Sequence, residues 1–274
     1  MPNQPKVQDV STKETGTESR KQFTPGGYDI DIAVTGFPGK SVCHGTLGWS
    51  TVALLRGRGR TCLIDAGSMS MRKLVIDRLS ERGLTPKDVT DLILTHSHHD
   101  HSVNWTLFSH SRIVIGEAEL EWAVNEPWGE TPVPELYVRE LQTWPTLHAV
   151  KDREEVIPGM TAHLAPGHTP GCLVYLLKGE KHDVIFTGDA AKNRAEMVSG
   201  TTDMTYDAAL SKSTIEMIWK LWRERPGTVL VPGHDLPMVQ ENGVTRYVGK
   251  REAAIQAWYG DDLESQTLFR LTEN

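Results

Sequence analysis

The sequence contains no run of eighteen or more consecutive apolar residues, and its first residues lack the charged-then-apolar pattern of a secretory leader. These absences lead to the expectation of a cytoplasmic protein with no membrane partner. Cysteine is scarce: Cys43, Cys62 and Cys172 are scattered, and no C-x-x-C pair occurs. Such spacing predicts reduced, mostly packed thiols and a fold that does not depend on disulfides. An excess of basic charge is missing too. The formal net charge is -7, which argues against a phosphate-backbone partner, because non-specific nucleic-acid affinity comes chiefly from clustered Lys and Arg. The short basic runs at 56–60 and 250–251 read as solvated surface, and no nucleic-acid partner is expected.

What is present is an ordinary globular composition, 38% hydrophobic over 274 residues, enough for one large core. Residues 1–24 are polar and aperiodic and read as a flexible arm, leaving 25–274 as a single catalytic domain. Alternation predicts a strand at 30–34, with further strands at 50–55 and 61–64. Met71, Leu74, Val75 and Leu79 recur at helical spacing, and Gly83 stands where a left-handed C-terminal residue is wanted. A buried strand at 91–95 follows, then a strand at 112–115 and a helix at 117–124. The stretch 125–145 holds four prolines among Trp128, Tyr137 and Trp144 and is expected to be partly irregular, a candidate lid. Strands at 161–164, 173–177 and 184–186, a helix at 207–223, a strand at 228–231 and a final helix at 249–259 complete the reading. Two strand-rich halves, each followed by helices, predict an α/β fold: a four-layer αββα sandwich.

The segment Thr95-His96-Ser97-His98-His99-Asp100-His101 packs four histidines and an aspartate into six residues directly after a strand. Imidazole nitrogen and carboxylate oxygen are ligands that borderline divalent metals prefer, and a strand-to-helix turn can aim alternate residues at one point. His96 and His98 share one side of such a turn; Asp100 and His101 are displaced enough to reach a second centre. His99 is expected to point away. Three later strand ends add Pro166-Gly167-His168, Gly188-Asp189 and Pro232-Gly233-His234. A lone loop histidine is more often surface than ligand, but three such positions after the cluster complete a ligand set.

In order and in kind, LIDAG (with Asp65), THSHHDH, APGHTPG, FTGDA and VPGHD resemble the metallo-β-lactamase superfamily, over residues 28–240. The resemblance implies the αββα sandwich with a binuclear site between the sheets. It implies His96, His98 and His168 on one metal, Asp100, His101 and His234 on the other, and Asp189 bridging. Asp65 would then orient a ligand, as metal-bound histidines usually require. Two divalent ions are implied, with zinc first and manganese, iron or cobalt also accepted by such ligands.

The activity this implies is hydrolysis of an ester, lactone, thioester or amide bond in a small, apolar or aromatic molecule. A metal-bridging hydroxide would attack the carbonyl, and Asp100 would steer it and accept its proton. True β-lactamases of the superfamily lack the bridging aspartate, so Asp189 favours the glyoxalase-II and lactonase side. Acyl-homoserine lactonases carry a tyrosine three residues beyond that aspartate; here the position is Lys192, a candidate for binding a substrate carboxylate or an oxyanion. Glyoxalase II carries a C-terminal helical domain for which the residues after His234 look too short. The rival reading is an iron-dependent oxidoreductase of the persulfide-dioxygenase type, which would not need the second ligand set. Asn104 is assigned no role beyond local hydrogen bonding, and homo-oligomerisation is left open.

Overall fold

The computed structural model describes residues 22–23, 25–43 and 45–272 of the chain. Lys21–Val248 form one compact unit, and the chain from Gly249 onward belongs to a second. Of the arm expected over residues 1–24, only Gln22–Phe23 (β1) are described, and they pair antiparallel with β2 (Tyr28–Val34).

The first sheet of the larger unit continues with β5 (Val52–Gly57) and β6 (Arg60–Ile64), after a small hairpin of β3 (Lys40–Ser41) and β4 (Gly45–Thr46). The chain then runs through α1 (Arg72–Ser80), β7 (Asp91–Ile93), the short α2 (His99–Ser102), β8 (Arg112–Gly116), α3 (Glu117–Asn125), α4 (Glu135–Gln142) and β9 (Leu147–Val150). The strand order is β1-β2-β5-β6-β7-β8-β9, antiparallel up to β6 and parallel from β6 to β9. The second sheet contains β10 (Glu155–Ile157), β11 (Met160–Leu164), β12 (Leu173–Leu177) and β13 (Val184–Gly188). After α5 (Arg194–Ser199) and α6 (Ala208–Glu224) it is completed by β14 (Val229–Pro232), β15 (Met238–Glu241) and β16 (Val244–Tyr247), in sequence order.

Side-chain alternation along the strands sorts the core into layers, because successive residues of a strand point to opposite faces. On β5, Ala53 and Leu55 join Tyr175, Leu177 and Phe186 between the sheets, while Leu54 packs outward with Val75, Leu79 and Leu120 of the helices. On β12, Leu173, Tyr175 and Leu177 face the inter-sheet core, and Val174 and Leu176 meet Ile215, Ile218 and Trp222 of α6. The architecture is the expected αββα sandwich. Helix ends follow local chemistry: the Asp207 carboxylate accepts from the N–H groups of Ala209 (2.8 Å) and Leu210 (2.9 Å), which sets the start of α6.

The stretch 125–145 is partly irregular, as expected: α4 forms after Pro134, with Val138 and Leu141 buried. One expectation is corrected. The final helix expected at 249–259 is instead β17 (Ala254–Ala257), paired antiparallel with β18 (Thr267–Arg270). The turn chemistry decides this. Gly260-Asp261-Asp262 interrupts the run, and the Asp262 carboxylate accepts from the N–H groups of Glu264 and Ser265 and from the Ser265 hydroxyl, closing a polar loop. No described helix is long and apolar enough to cross a membrane.

One buried charge ties the first sheet together. Asp91 opens β7 with its carboxylate fully buried, accepting from Arg60 (2.9 and 3.0 Å), Arg112 (2.7 Å) and Thr90 (2.7 Å). Burial opposes its charge, but these donors hold its pKa below the usual carboxylate value. Its stabilising contribution is therefore present above the unfolded-state pKa and is lost as pH falls through the folded one. Asp91→Ala is expected to lower unfolding stability by about 2–3 kcal/mol in urea titration. That is less than the roughly 3–5 for a fully buried pair, because Arg60 and Arg112 keep about a third of their side chains in water. An unchanged midpoint would refute the role.

Candidate metal centre

The candidate ligands stand at the C-terminal ends of strands from both sheets, where loops from parallel neighbours converge. β7 delivers His96, His98, Asp100 and His101; the β11–β12 loop carries His168; Asp189 follows β13 and His234 follows β14. Ser102 in α2 holds the first turn closed, its hydroxyl donating to the carbonyls of Ser97 (2.7 Å) and His98 (3.1 Å). His99 is exposed, as expected for the one histidine of the motif outside the set.

All seven residues come together. They form three overlapping groups, His96/His98/His168, His96/His101/Asp189 and Asp100/His101/His234, the ligand atoms of each lying within 4.8 Å of one another. In the first group His168 Nε2 is 2.9 Å from His98 Nδ1. In the third, His101 Nε2 and His234 Nε2 are 3.2 Å apart, and Asp100 Oδ2 is 3.3 Å from the latter. Asp189 lies between: Oδ2 is 3.3 Å from His168 Nε2, while Oδ1 is 3.2 Å from Nε2 of both His101 and His234.

Two glycines make that position available. Gly188 adopts φ +49°, and a Cβ there would sit 2.4 Å from Thr95 Oγ1; a Cβ on Gly233 would lie 2.3 Å from Asp189 Oδ1.

The electrostatics divide the site. Burial, reinforced by neighbouring imidazoles, pushes His96 and His168 well below the ordinary histidine value, and burial holds His98 at about 4. Burial also opposes charge on His101 and His234, but Asp189 and Asp100 overcome it and raise both. Asp189 resists burial in the same way, held well below the carboxylate range by His234, His101 and His168. Burial thus favours the neutral form of the first imidazole group, while His101 and His234 lie beside the two carboxylates. His96 Nε2 is buried with no hydrogen-bond partner, and an unsatisfied buried polar atom is costly. A divalent cation would satisfy it, so the donor set fits the metals the sequence implies.

Asp65 has the supporting place expected of it. One of its oxygens accepts from Thr95 N–H (2.8 Å) and the other lies 2.8 Å from His101 Nδ1, leaving His101 Nε2 for the site. Asn104 bonds across the fold rather than locally, its amide donating to the distant carbonyls of Ala66, Gly67 and Ser68. Lys192 is occupied: its ammonium contacts Glu196 Oε1 (2.9 Å) and donates to the Asp203 carbonyl (2.6 Å). Among the aromatics, Trp122 approaches the ligands, 6.3 Å from His98 between ring centroids, and Tyr206 packs on it at 5.9 Å. Trp144 instead packs on Trp105, and Trp128 lies exposed beneath Arg139. Two residues escaped sequence reasoning: Tyr206, and Glu119, a carboxylate buried behind the first group. No motif marks either, since each reaches the site only through tertiary packing.

The sequence profile of the metallo-beta-lactamase superfamily matches residues 45–234. With that span, this fold and this cluster, the chain belongs to the metallo-beta-lactamase superfamily. Among its relatives, an N-acyl homoserine lactonase of a Bacillus species is 28% identical over 179 residues, 64% of this chain and 66% of the relative. An N-acyl homoserine lactonase of Bacillus thuringiensis is 25% identical over 172 residues, covering 61% and 64% respectively. The match thus spans slightly under two thirds of these relatives' length. Two solved structures share the fold. A variant of the Bacillus thuringiensis protein AiiA, with N-decanoyl-L-homoserine bound at its active site, aligns with TM-score 0.62 at 18% identity, over 78% of this chain and 94% of that one. AidC, a dizinc quorum-quenching lactonase with the product N-hexanoyl-L-homoserine, aligns with TM-score 0.66 at 15% identity, over 85% and 97%.

Gly233→Ala is expected to displace the Asp189 carboxylate and lower the divalent-metal content of the purified chain, read by elemental analysis, while far-UV circular dichroism stays unchanged. Metal content equal to that of the unsubstituted chain would show that the approach of Gly233 to Asp189 is dispensable.

Proposed function

We propose that this chain is a binuclear metal-dependent hydrolase that opens a lactone or cleaves a related ester, thioester or amide bond of a small molecule. The observation that carries the reading is the split of Asp189, whose two oxygens face different imidazole groups. His96, His98 and His168 would hold one ion, Asp100, His101 and His234 the other, and Asp189 would serve both. Zinc suits this ligand set, with manganese or iron as substitutes. When bound, such ions supply Lewis acidity toward a carbonyl and lower the pKa of water into the neutral range.

The protein's own residues supply the rest. Asp100 is the more exposed of the two site carboxylates, with a fifth of its side chain open to solvent against 6% for Asp189. That makes it the group able to accept a proton from the attacking water and return it to the leaving oxygen. Asp65 fixes the ring of His101 through Nδ1. Trp122 and Tyr206 form an apolar wall beside His98 suited to an acyl chain or an aromatic substituent. Lys192, paired with Glu196, holds the segment leading to Tyr206 through the Asp203 carbonyl. The lactonase reading of the substrate draws support from the names of the relatives and from the aspartate at position 189.

Elemental analysis of protein purified without added metal is expected to find about two zinc ions per chain, with turnover of a lactone or aryl ester abolished by chelator and restored by zinc. One iron per chain, no turnover across carbonyl substrates and consumption of oxygen with a persulfide would overturn the hydrolase in favour of the oxidoreductase reading. Asp189→Ala should lower kcat/KM by more than about 100-fold, since even residues behind a metal ligand are worth 10–100-fold. Full activity and full metal content in that variant would refute the bridging role.

A further inference from the structure

We infer that Glu119 is a positioning residue, a buried carboxylate clamp that sets the spacing between the His96–His98 turn and the His168 loop. It rests on the metal-centre reading above but concerns a residue outside the ligand set. Glu119 lies in the first turn of α3, on the outer layer of the first sheet, and is fully buried. Its Oε1 accepts from the Ser97 N–H (2.8 Å) and the Ser97 hydroxyl (2.6 Å). Its Oε2 accepts from the Thr169 hydroxyl (2.6 Å) and the Gly171 N–H (3.2 Å). Ser97 is the residue between His96 and His98, and Thr169 directly follows His168. One side chain therefore grips both loops that carry the first imidazole group, and those loops belong to different sheets.

The chemistry explains why a carboxylate is needed. All four partners are neutral donors, two of them main-chain N–H groups that can only donate. A glutamate offers two acceptor oxygens, one to each loop. Glutamine has the same shape but only one acceptor oxygen, so its amide nitrogen must oppose either the Ser97 or the Gly171 N–H. The loop has closed down on the helix as well: a Cβ on Gly171 would lie 2.0 Å from the backbone nitrogen of Glu119, so the clamp acts at contact distance. His98 and His168 approach to 2.9 Å across the gap this residue spans. Releasing one loop would widen that gap without touching a ligand.

The test is Glu119→Gln in the full chain, with Ser97→Ala and Thr169→Val as variants that each delete a single hydroxyl bond. The expected result is folding preserved by far-UV circular dichroism, metal affinity by chelator competition weakened about 10–100-fold, and kcat lowered with KM nearly unchanged. The visible spectrum of the cobalt-substituted variant should also shift, a change that loss of stability alone would not produce. If Glu119→Gln does not fold, the hydroxyl variants decide, each expected to weaken metal affinity by a smaller factor with the same spectral shift. Metal affinity and cobalt spectrum unchanged in the folded variants, beside an unsubstituted chain that does bind metal, would overturn the clamp alone. An unsubstituted chain that binds no divalent metal would overturn the metal centre and the clamp together.

Discussion

The arrangement depends on one carboxylate shared between two clusters of imidazole. Asp189 is buried, where an isolated charge would be expelled by its desolvation cost. It stays charged because three histidines surround it within 3.2–3.3 Å. Its position follows from backbone: β13 ends in a left-handed glycine, β14 runs parallel beside it, and Gly233 lets the next strand end pass against the carboxylate. A side chain at Gly233 would occupy the space of the Asp189 carboxylate, and one at Gly188 the space of the Thr95 side chain.

Around that centre the supporting groups form a graded shell. Asp65 fixes His101 from the first sheet, and Glu119 joins the two loops of the first imidazole group from the helical layer outside it. Both are carboxylates held mostly by backbone N–H and hydroxyl donors, which gives direction without competing for a cation. Such groups act through geometry: they spend hydrogen-bond acceptors to remove freedom from ligands that must converge within a few ångströms. The proposed substrate side would be built differently. Trp122 and Tyr206 would provide surface rather than fixed bonds, and a wall of that kind would suit a substituent recognised by shape and apolarity.

Much of this was legible in the chain itself, for a local reason. A candidate metal motif of the H-x-H-x-D-H kind is written within six residues, and strands and helices announce themselves by alternation, helical spacing and end residues such as Gly83. The expected strand at 173–177 and the sandwich of two sheets correspond to the structure directly. The misread C-terminal helix has a local reason as well. Ala254-Ile255-Gln256-Ala257 is compatible with either helix or strand, and the polar turn at Asp262 together with pairing to Thr267–Arg270 decides between them. Pairing partners lie outside any short window, so periodicity alone could not separate the two.

The ligand types, their order and the family resemblance were thus determined by the sequence, because each motif is contiguous and its chemistry is intrinsic to the residues. Which atoms face which was decided only by tertiary structure. The division of Asp189 between two clusters, the capture of Lys192 by Glu196 and the Asp203 carbonyl, and the burial of Glu119 behind Ser97 and Thr169 all join residues far apart in the chain or set directions that spacing does not encode. The physical reason is that a side chain's role in a buried site is set by the hydrogen-bond partners and charges that packing brings to it, and those come from both sheets at once.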